Sequence, residues 1–419
     1  MRVVIVGCGM AGIGAALALK KRRVDFVILE KDNLPGGLVN TDLIHDFLFD
    51  RAGHYLHIKT KEAFDDLVAN TIPFDSIETK SGVLIEDNIV PYPLQYNLWA
   101  VDSRIRENVR AEIVSAKRNK CINKTSLHHC LKDAWGKTLF ELFLNPYNTK
   151  LWACSTSTLP YDSLGKYALP IDSDLVIEGC KGDVSFRGYN HKVYIPKTGR
   201  VDDLVQKLIQ PLSSHLRCAT EIVKIDANQK KCVDRNGEAY FYDVLISSVP
   251  LNKILERIAE IRNKPILQGT SLLNIRVGIK GCLTHPYHWL YVPDEEQPFH
   301  RIGFPSNVNA KTCPQGYTSL SIEYTPKKDN LLNAYQIAEA GTQYLQRRNL
   351  LRMELICFSE SVLIRPAYTC VATSERDKVK HAIKLLSDKR IFTVGRYGSW
   401  EYLSMEDSFL SGKHVAECL

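Results

Sequence analysis

"RVVIVGCGMAGIGAALALKKRRVDFVILE", residues 2–30, decides the fold. The β-branched run 2–6 has the pattern of a strand buried on both faces of a parallel sheet. It leads into Gly7-Cys8-Gly9-Met10-Ala11-Gly12, a GxGxxG, and then an alanine- and leucine-rich helix over 13–20. The three glycines have separate tasks: a tight turn, close approach of backbone to a pyrophosphate, and close packing of helix on strand. The helix start offers free N–H groups and a positive dipole end to the phosphates. A second strand ends at Glu30, 18 positions beyond Gly12, where a carboxylate suits a ribose hydroxyl. Strand, glycines, helix, strand and acid in one unit point to an adenine dinucleotide, either NAD(P) or FAD. The same stretch imitates a signal peptide, but the fixed glycine offsets explain it better.

At 419 residues the chain suggests two or three domains, and 45% hydrophobic with 24% charged residues is a globular composition. The net charge of +7 is scattered, which reads as a solvated surface. No nucleic-acid partner is expected, whereas an anionic small molecule such as a phosphate fits. The twelve cysteines stand singly without CxxC pairs. Reduced thiols, a cytoplasmic location and no metal site are the expectation. No stretch approaches the roughly 20 apolar residues of a membrane span.

The residues after Glu30 favour FAD. "KDNLPGGLVNT" (31–41) carries Lys31, Gly36, Gly37 and Leu38 and resembles the second glycine pair of FAD enzymes of the amine-oxidase type, with Leu38 where an arginine is frequent. No second GxGxxG follows a strand, so a separate NAD(P) domain is not expected. "FYDVLISSVPLNKIL" (241–255) reads as another strand of the dinucleotide sheet. The last 30 residues read as a strand at 390–394, a turn at Gly395-Arg396 and a helix from about Met405, with Asp407 and Ser408 suited to its start. A helix start aimed at a flavin would favour negative charge on the reduced ring. The expected class is α/β: a Rossmann-type FAD-binding domain of the GR2 kind, with an inserted helical cap and an antiparallel-sheet substrate domain. The expected bounds are 1–85 with 195–265 and 380–419 for the first, 86–194 for the cap and 266–379 for the substrate domain. Within the cap, "FLNPYNTKLWA" (143–153) breaks an apolar helical stretch, and Asn145-Pro146 reads as its stop.

Several segments, in order along the chain, resemble the UDP-galactopyranose mutase superfamily. "FDRAGHYLH" (49–57) is similar to the family's GPHIFH segment, with Gly53, His54 and His57 matching and Ala52 for its proline. "PYPLQYNL" (91–98) resembles YP-x-x-x-NL. "NPYNTKLWA" (145–153) resembles Y-x-x-KQWG, with Leu151 and Ala153 for Gln and Gly. "NHKVYIPKTGRVDDLVQKL" (190–208) resembles YP-x-GG-x-x-x-L, with Arg200 at the second glycine. "PFHRIGFPSN" (298–307) resembles the segment that carries a diphosphate-binding arginine, here Arg301. "GRYGSWEYLSMEDS" (395–408) resembles GR-x-x-x-Y-x-Y-x-DMD, which carries over Arg396, Tyr402, Met405 and Asp407.

The resemblance implies a mutase in which N5 of a reduced flavin attacks the anomeric carbon of a UDP- or dTDP-hexose and interconverts pyranose and furanose without net redox change. It implies FAD as cofactor, with NADH, NADPH or a partner flavoprotein as reductant, and a homodimer is compatible with it. Arg301 and Arg187 would hold the departing diphosphate, since the planar guanidinium fork suits phosphate better than an ammonium. Tyr147 would stack on the base, Lys150 and Trp152 would wall the sugar pocket, Tyr402 would bond phosphate oxygens, and His57 and His54 would sit by the flavin. Leu151 and Ala153 would mark where a different sugar is admitted. Two other readings stay open: an FAD oxidoreductase of the amine-oxidase or protoporphyrinogen-oxidase type that removes a hydride, and a flavin-binding protein without turnover.

Overall fold

β1 (Arg2–Val6) lies at the centre of a five-stranded, wholly parallel sheet. The computed structural model describes residues 1–53, 55–116, 123–169, 172–182, 191–259, 261, 264–327 and 332–419. In the sheet the order is 391–393, 244–247, β1, β2 (Asp25–Leu29) and 216–217. Its five strands thus come from three distant parts of the chain. Val3, Val4 and Ile5 are fully buried, because helices cover one face of the sheet and a three-stranded antiparallel sheet (222–226, 231–234, 239–241) with further helices covers the other.

Between β1 and β2 runs α1 (Met10–Lys21), fully apolar through its first turns. Gly7 has φ +97°, a conformation that side chains rarely adopt, and it makes the sharp turn off β1. A Cβ on Gly12 would fall 2.0 Å from the Gly7 carbonyl, so the turn closes only with glycine there. α1 packs on the last helix so closely that a Cβ on Gly412 would lie 1.8 Å from the Ala11 carbonyl oxygen.

The second large sheet has seven strands in the order 351–364, 272–283, 317–324, 301–303, 289–291, 81–85 and 88–91. Its pairings are antiparallel except for that between 289–291 and 81–85. Residues 81–91, which straddle the expected border at 85/86, form a hairpin on this sheet's far edge. One face of the sheet packs Ile275, Val277, Ile279, Leu320 and Ile322 against the helix Ala334–Arg347. The other face is polar and looks toward the dinucleotide domain.

The cap is helical. It contains Ser103–Ala116, α2 (Leu127–Leu139), α3 (Asn145–Trp152) and Ser173–Gly179. Tyr96, Trp135, Leu139 and Phe143 form part of its core. The expected helix stop at Asn145-Pro146 is corrected: the helix passes through Pro146 and ends at Trp152. Two features allow this. Residues Phe140–Leu144 form a wider π-type turn, and Pro146 sits in the first turn of α3, where a missing N–H costs least. The actual stop is Ala153, in the left-handed conformation at φ 51°. The closing helix, α4 (Met405–Glu417), begins as expected at Met405, but its cap is Ser404. Ser404 Oγ accepts from the Asp407 N–H, and the Asp407 carboxylate accepts from the Ser404 N–H (2.7 Å), a capping box.

Candidate active site

All three parts meet around one cavity of about 1030 Å³, at the upper end of the range for ligand pockets. At one end it is bounded by the turn between β1 and α1. Gly7, Gly9, Met10 and Ala11 line it, while Gly12 sits behind the turn. A Cβ added at Gly9 would meet nothing within 4 Å and would project into open space. The first turn of α1 has no side-chain cap, so its N–H groups remain available to an anion. Glu30 closes this end. It is 5% exposed, and its two oxygens accept from the Cys8 N–H (2.7 Å) and the Asp32 N–H (2.9 Å). Those bonds hold a carboxylate rim for ribose hydroxyls. Lys31, Gly36, Gly37 and Leu38 also line the cavity. Gly395, Arg396, Tyr402, Met405 and Ser408 line the cavity as well, with Gly395 packed beside Ala11, so the start of α4 faces the same space. An adenine dinucleotide fits this donor set: backbone amides for the pyrophosphate, a carboxylate for the ribose, and room where a Cβ would otherwise stand.

At the other end the polar face of the seven-stranded sheet forms the floor. Arg301 and Glu323 stand directly opposite each other on paired strands. Arg301 Nη2 forms an ion pair with Glu323 Oε1. Glu323 is 3% exposed and Arg301 25%, so the guanidinium still faces the cavity. Tyrosines crowd around the pair. Tyr147, Tyr291, Tyr368 and Tyr402 all line the cavity. Tyr147 meets Tyr291 edge-on at 5.3 Å between ring centres, and Tyr368 meets Tyr402 edge-on at 5.6 Å. Burial pushes the hydroxyls of Tyr147 and Tyr368 well above the usual tyrosine range, so they stay protonated donors. Arg396 Nε donates to the Leu403 carbonyl (2.7 Å), and its guanidinium lies 5.0 Å from the Tyr402 ring centre. His57 lines the cavity too, and burial, aided by Lys59, Lys166 and Arg301, lowers its pKa to about 4. It is therefore neutral at pH 7.

The segment 143–153 divides by role. Phe143, Tyr147, Asn148 and Leu151 line the cavity. Asn148 Oδ1 and, from the other side of the cap, Gln95 Oε1 are buried acceptors without partners that a bound ring could satisfy. Lys150 and Trp152, expected on the sugar wall, are not on it. The Lys150 ammonium is spent on three backbone carbonyls, and Trp152, 2% exposed, packs behind Tyr368 and Tyr402. Ala153 is a helix cap outside the lining, whereas Leu151 is on it. His54 and Arg187 lie outside the described residues.

Sequence reading missed Glu323 and the tyrosines Tyr291 and Tyr368. A signal for Glu323 existed: in "SLSIEYTP" it is the one charge on a strand whose other residues are small or apolar. Nothing local marked it as the partner of Arg301, because strand register alone brings them together.

Residues 5–70 match the family of NAD(P)-binding Rossmann-like domains. Over the whole chain, the structure superposes on that of a reduced UDP-galactopyranose mutase with TM-score 0.91 and 24% identity, covering 99% of this chain and 94% of that one. The fold is that of UDP-galactopyranose mutase. A proposed protoporphyrinogen oxidase from Exiguobacterium sp. 255-15 is similar at TM-score 0.76 and 14% identity, covering 100% and 98%. A variant putrescine oxidase is similar at 0.69 and 12%, covering 99% and 98%. The mutase fold therefore extends through cap, sheet and dinucleotide domain alike, and the resemblance read in the sequence motifs holds in three dimensions. No described helix is long and apolar enough to cross a membrane.

Proposed function

We propose that this protein is an FAD-dependent sugar-nucleotide mutase acting on a UDP- or dTDP-hexose, in which the C1–O bond to the diphosphate breaks and reforms. The observation that carries the reading is the pair of guanidinium groups at one end of a dinucleotide cavity. Arg301 gives one edge of its fork to Glu323 and keeps the other for a phosphate. Arg396 is held over Tyr402 with its Nε on a backbone carbonyl, which orients the rest of the group. Two fixed cations facing one cavity suit a mutase, which must retain its diphosphate leaving group.

When bound and reduced, the flavin supplies the nucleophile for the anomeric carbon. The chain's own residues have separate tasks. Arg301 and Arg396 hold the diphosphate after it departs, and the protonated hydroxyls of Tyr368 and Tyr402 add neutral donors to its oxygens. Neutral His57 would place no further positive charge at the cavity wall. Tyr147 and Leu151 bound the base and sugar, and the ring cluster excludes water from the reacting carbon.

Anaerobic incubation of the reduced protein with a panel of UDP- and dTDP-hexoses is expected to yield a furanose product, and the oxidised protein none. Bleaching of the oxidised flavin by an amine, porphyrinogen or sugar, with no isomer formed, would refute the mutase and favour the oxidoreductase reading.

A further inference from the structure

We infer that Lys150 is a positioning residue that fixes the span between Tyr147 and Arg301, and so sets how far apart one ligand's ring and phosphate can be held. The inference rests on the nucleotide-sugar reading above for its ligand, but not for its geometry. Lys150 lies on α3 one turn after Tyr147. Its Nζ donates to the carbonyls of Asp294 (2.8 Å), Gln297 (3.3 Å) and Phe299 (2.8 Å). An ammonium has three donors, and all three are used.

Those carbonyls belong to one loop. It joins strand 289–291 to strand 301–303 and is closed at its base by the bond from Val292 N–H to the His300 carbonyl (2.8 Å). Arg301 is the first residue beyond it. Tyr147 touches both ends of the same loop, with ring centres 5.3 Å from Tyr291 and 6.0 Å from His300. One cation therefore binds the helix that carries the ring-facing tyrosine to the loop that delivers the phosphate-facing arginine. A backbone loop with three carbonyls turned inward needs donors, and no described residue other than Lys150 reaches all three.

The brace is sensitive to pH. Burial lowers the Lys150 pKa to about 7, against the opposing pull of Asp294 and Glu295 on the loop. From the neighbouring strand, His300 stays neutral because burial, Arg301 and Lys150 all disfavour its charged form. Arg301 is balanced by Glu323. Because this pKa lies below that of a solvated lysine, the closed loop binds the proton less tightly than the open one, and the group's contribution favours the closed loop more as pH rises above about 7.

The test compares the flavin-loaded wild type with Lys150→Met, whose side chain keeps the length without the charge. Two readouts are used, and the first needs no ligand. Amide protection over residues 292–300, corrected for intrinsic exchange at each pH, is expected to fall in Lys150→Met with the rest of the seven-stranded sheet unchanged, and in the wild type to be no lower at pH 8.5 than at pH 6. The second is affinity for UDP-galactose, whose diphosphate does not titrate in this range. Lys150→Met is expected to bind about tenfold more weakly than the wild type. Unchanged protection over 292–300 in the variant, or an affinity identical in both proteins, would overturn the inference. A wild type that binds no nucleotide sugar, with the exchange result as expected, would instead overturn the ligand reading and leave the brace standing.

Discussion

At the Gly7–Gly12 end of the cavity, backbone amides and one carboxylate form the binding surface, and they come from residues 7–37. At the Arg301 end, side chains form it, and other groups hold them: Glu323 on the paired strand for Arg301, the nearby Leu403 carbonyl for Arg396, and the 294–299 loop for α3. The first arrangement depends on shape and tolerates little side-chain change. The second can be retuned residue by residue, and there the chain departs from the mutase pattern, with Leu151 and Ala153 for Gln and Gly.

The sharpest way to break the comparison is at Gly9. Its φ of −79° suits any residue, and a Cβ there meets no protein atom. Gly9→Val is expected to leave folding stability within ~0.5 kcal/mol and to abolish retention of FAD, read from the flavin absorbance of purified protein. Normal FAD content in this variant would remove the turn from the phosphate site. At the other end, Arg301→Ala strands a buried carboxylate and is expected to cost ~3 kcal/mol in chemical denaturation. Adding Glu323→Gln should restore most of that stability but none of the nucleotide-sugar binding. Recovery of binding in the double variant would show Arg301 to be structural only.

Acid acts on side chains outside the five-stranded sheet. Burial lowers the pKa of His57, His285 and His288 to about 4 from an ordinary 6.5. These histidines are neutral in the fold and take up protons first in the unfolded chain. Stability should therefore be level from pH 7 to 8 as far as they are concerned and fall as pH drops from about 6.5 toward 4. Urea midpoints that stay constant from pH 7 to 5 would contradict this. The smallest effect is at Ala153, whose φ of 51° suits glycine better. Ala153→Gly is expected to add ~0.5–1 kcal/mol without changing substrate KM, and a large KM change would return Ala153 to the ligand site.

The same contrast governs what was legible in the sequence. The dinucleotide end is encoded within one βαβ unit, so spacing alone placed Gly7, Gly9, Gly12 and Glu30. The substrate end depends on register between strands. Arg301 stood out because its segment resembles a family motif, but Glu323, Tyr291 and Tyr368 reach it only through pairing across the sheet and packing against the cap. The resemblance of NPYNTKLWA to Y-x-x-KQWG puts Lys150 on the pocket wall. Its true partners are backbone carbonyls 144 to 149 positions away, which carry no sequence signature. Asn145-Pro146 misled for a local reason: proline stops a helix interior, but it is tolerated in a first turn that follows a π-type widening.

The central claim is that this cavity breaks and remakes the C1–O bond of a nucleotide sugar while retaining the diphosphate. Positional isotope exchange tests it most directly. UDP-galactose and related UDP- and dTDP-hexoses carrying ¹⁸O between C1 and the β-phosphorus are incubated with the oxidised and the anaerobically reduced protein, and the label is followed by ³¹P NMR. Movement of ¹⁸O into non-bridging positions is expected with the reduced protein and at least one sugar, and none with the oxidised form. A label that stays in the bridge throughout, in a reduced protein that binds the nucleotide sugar, would contradict the claim.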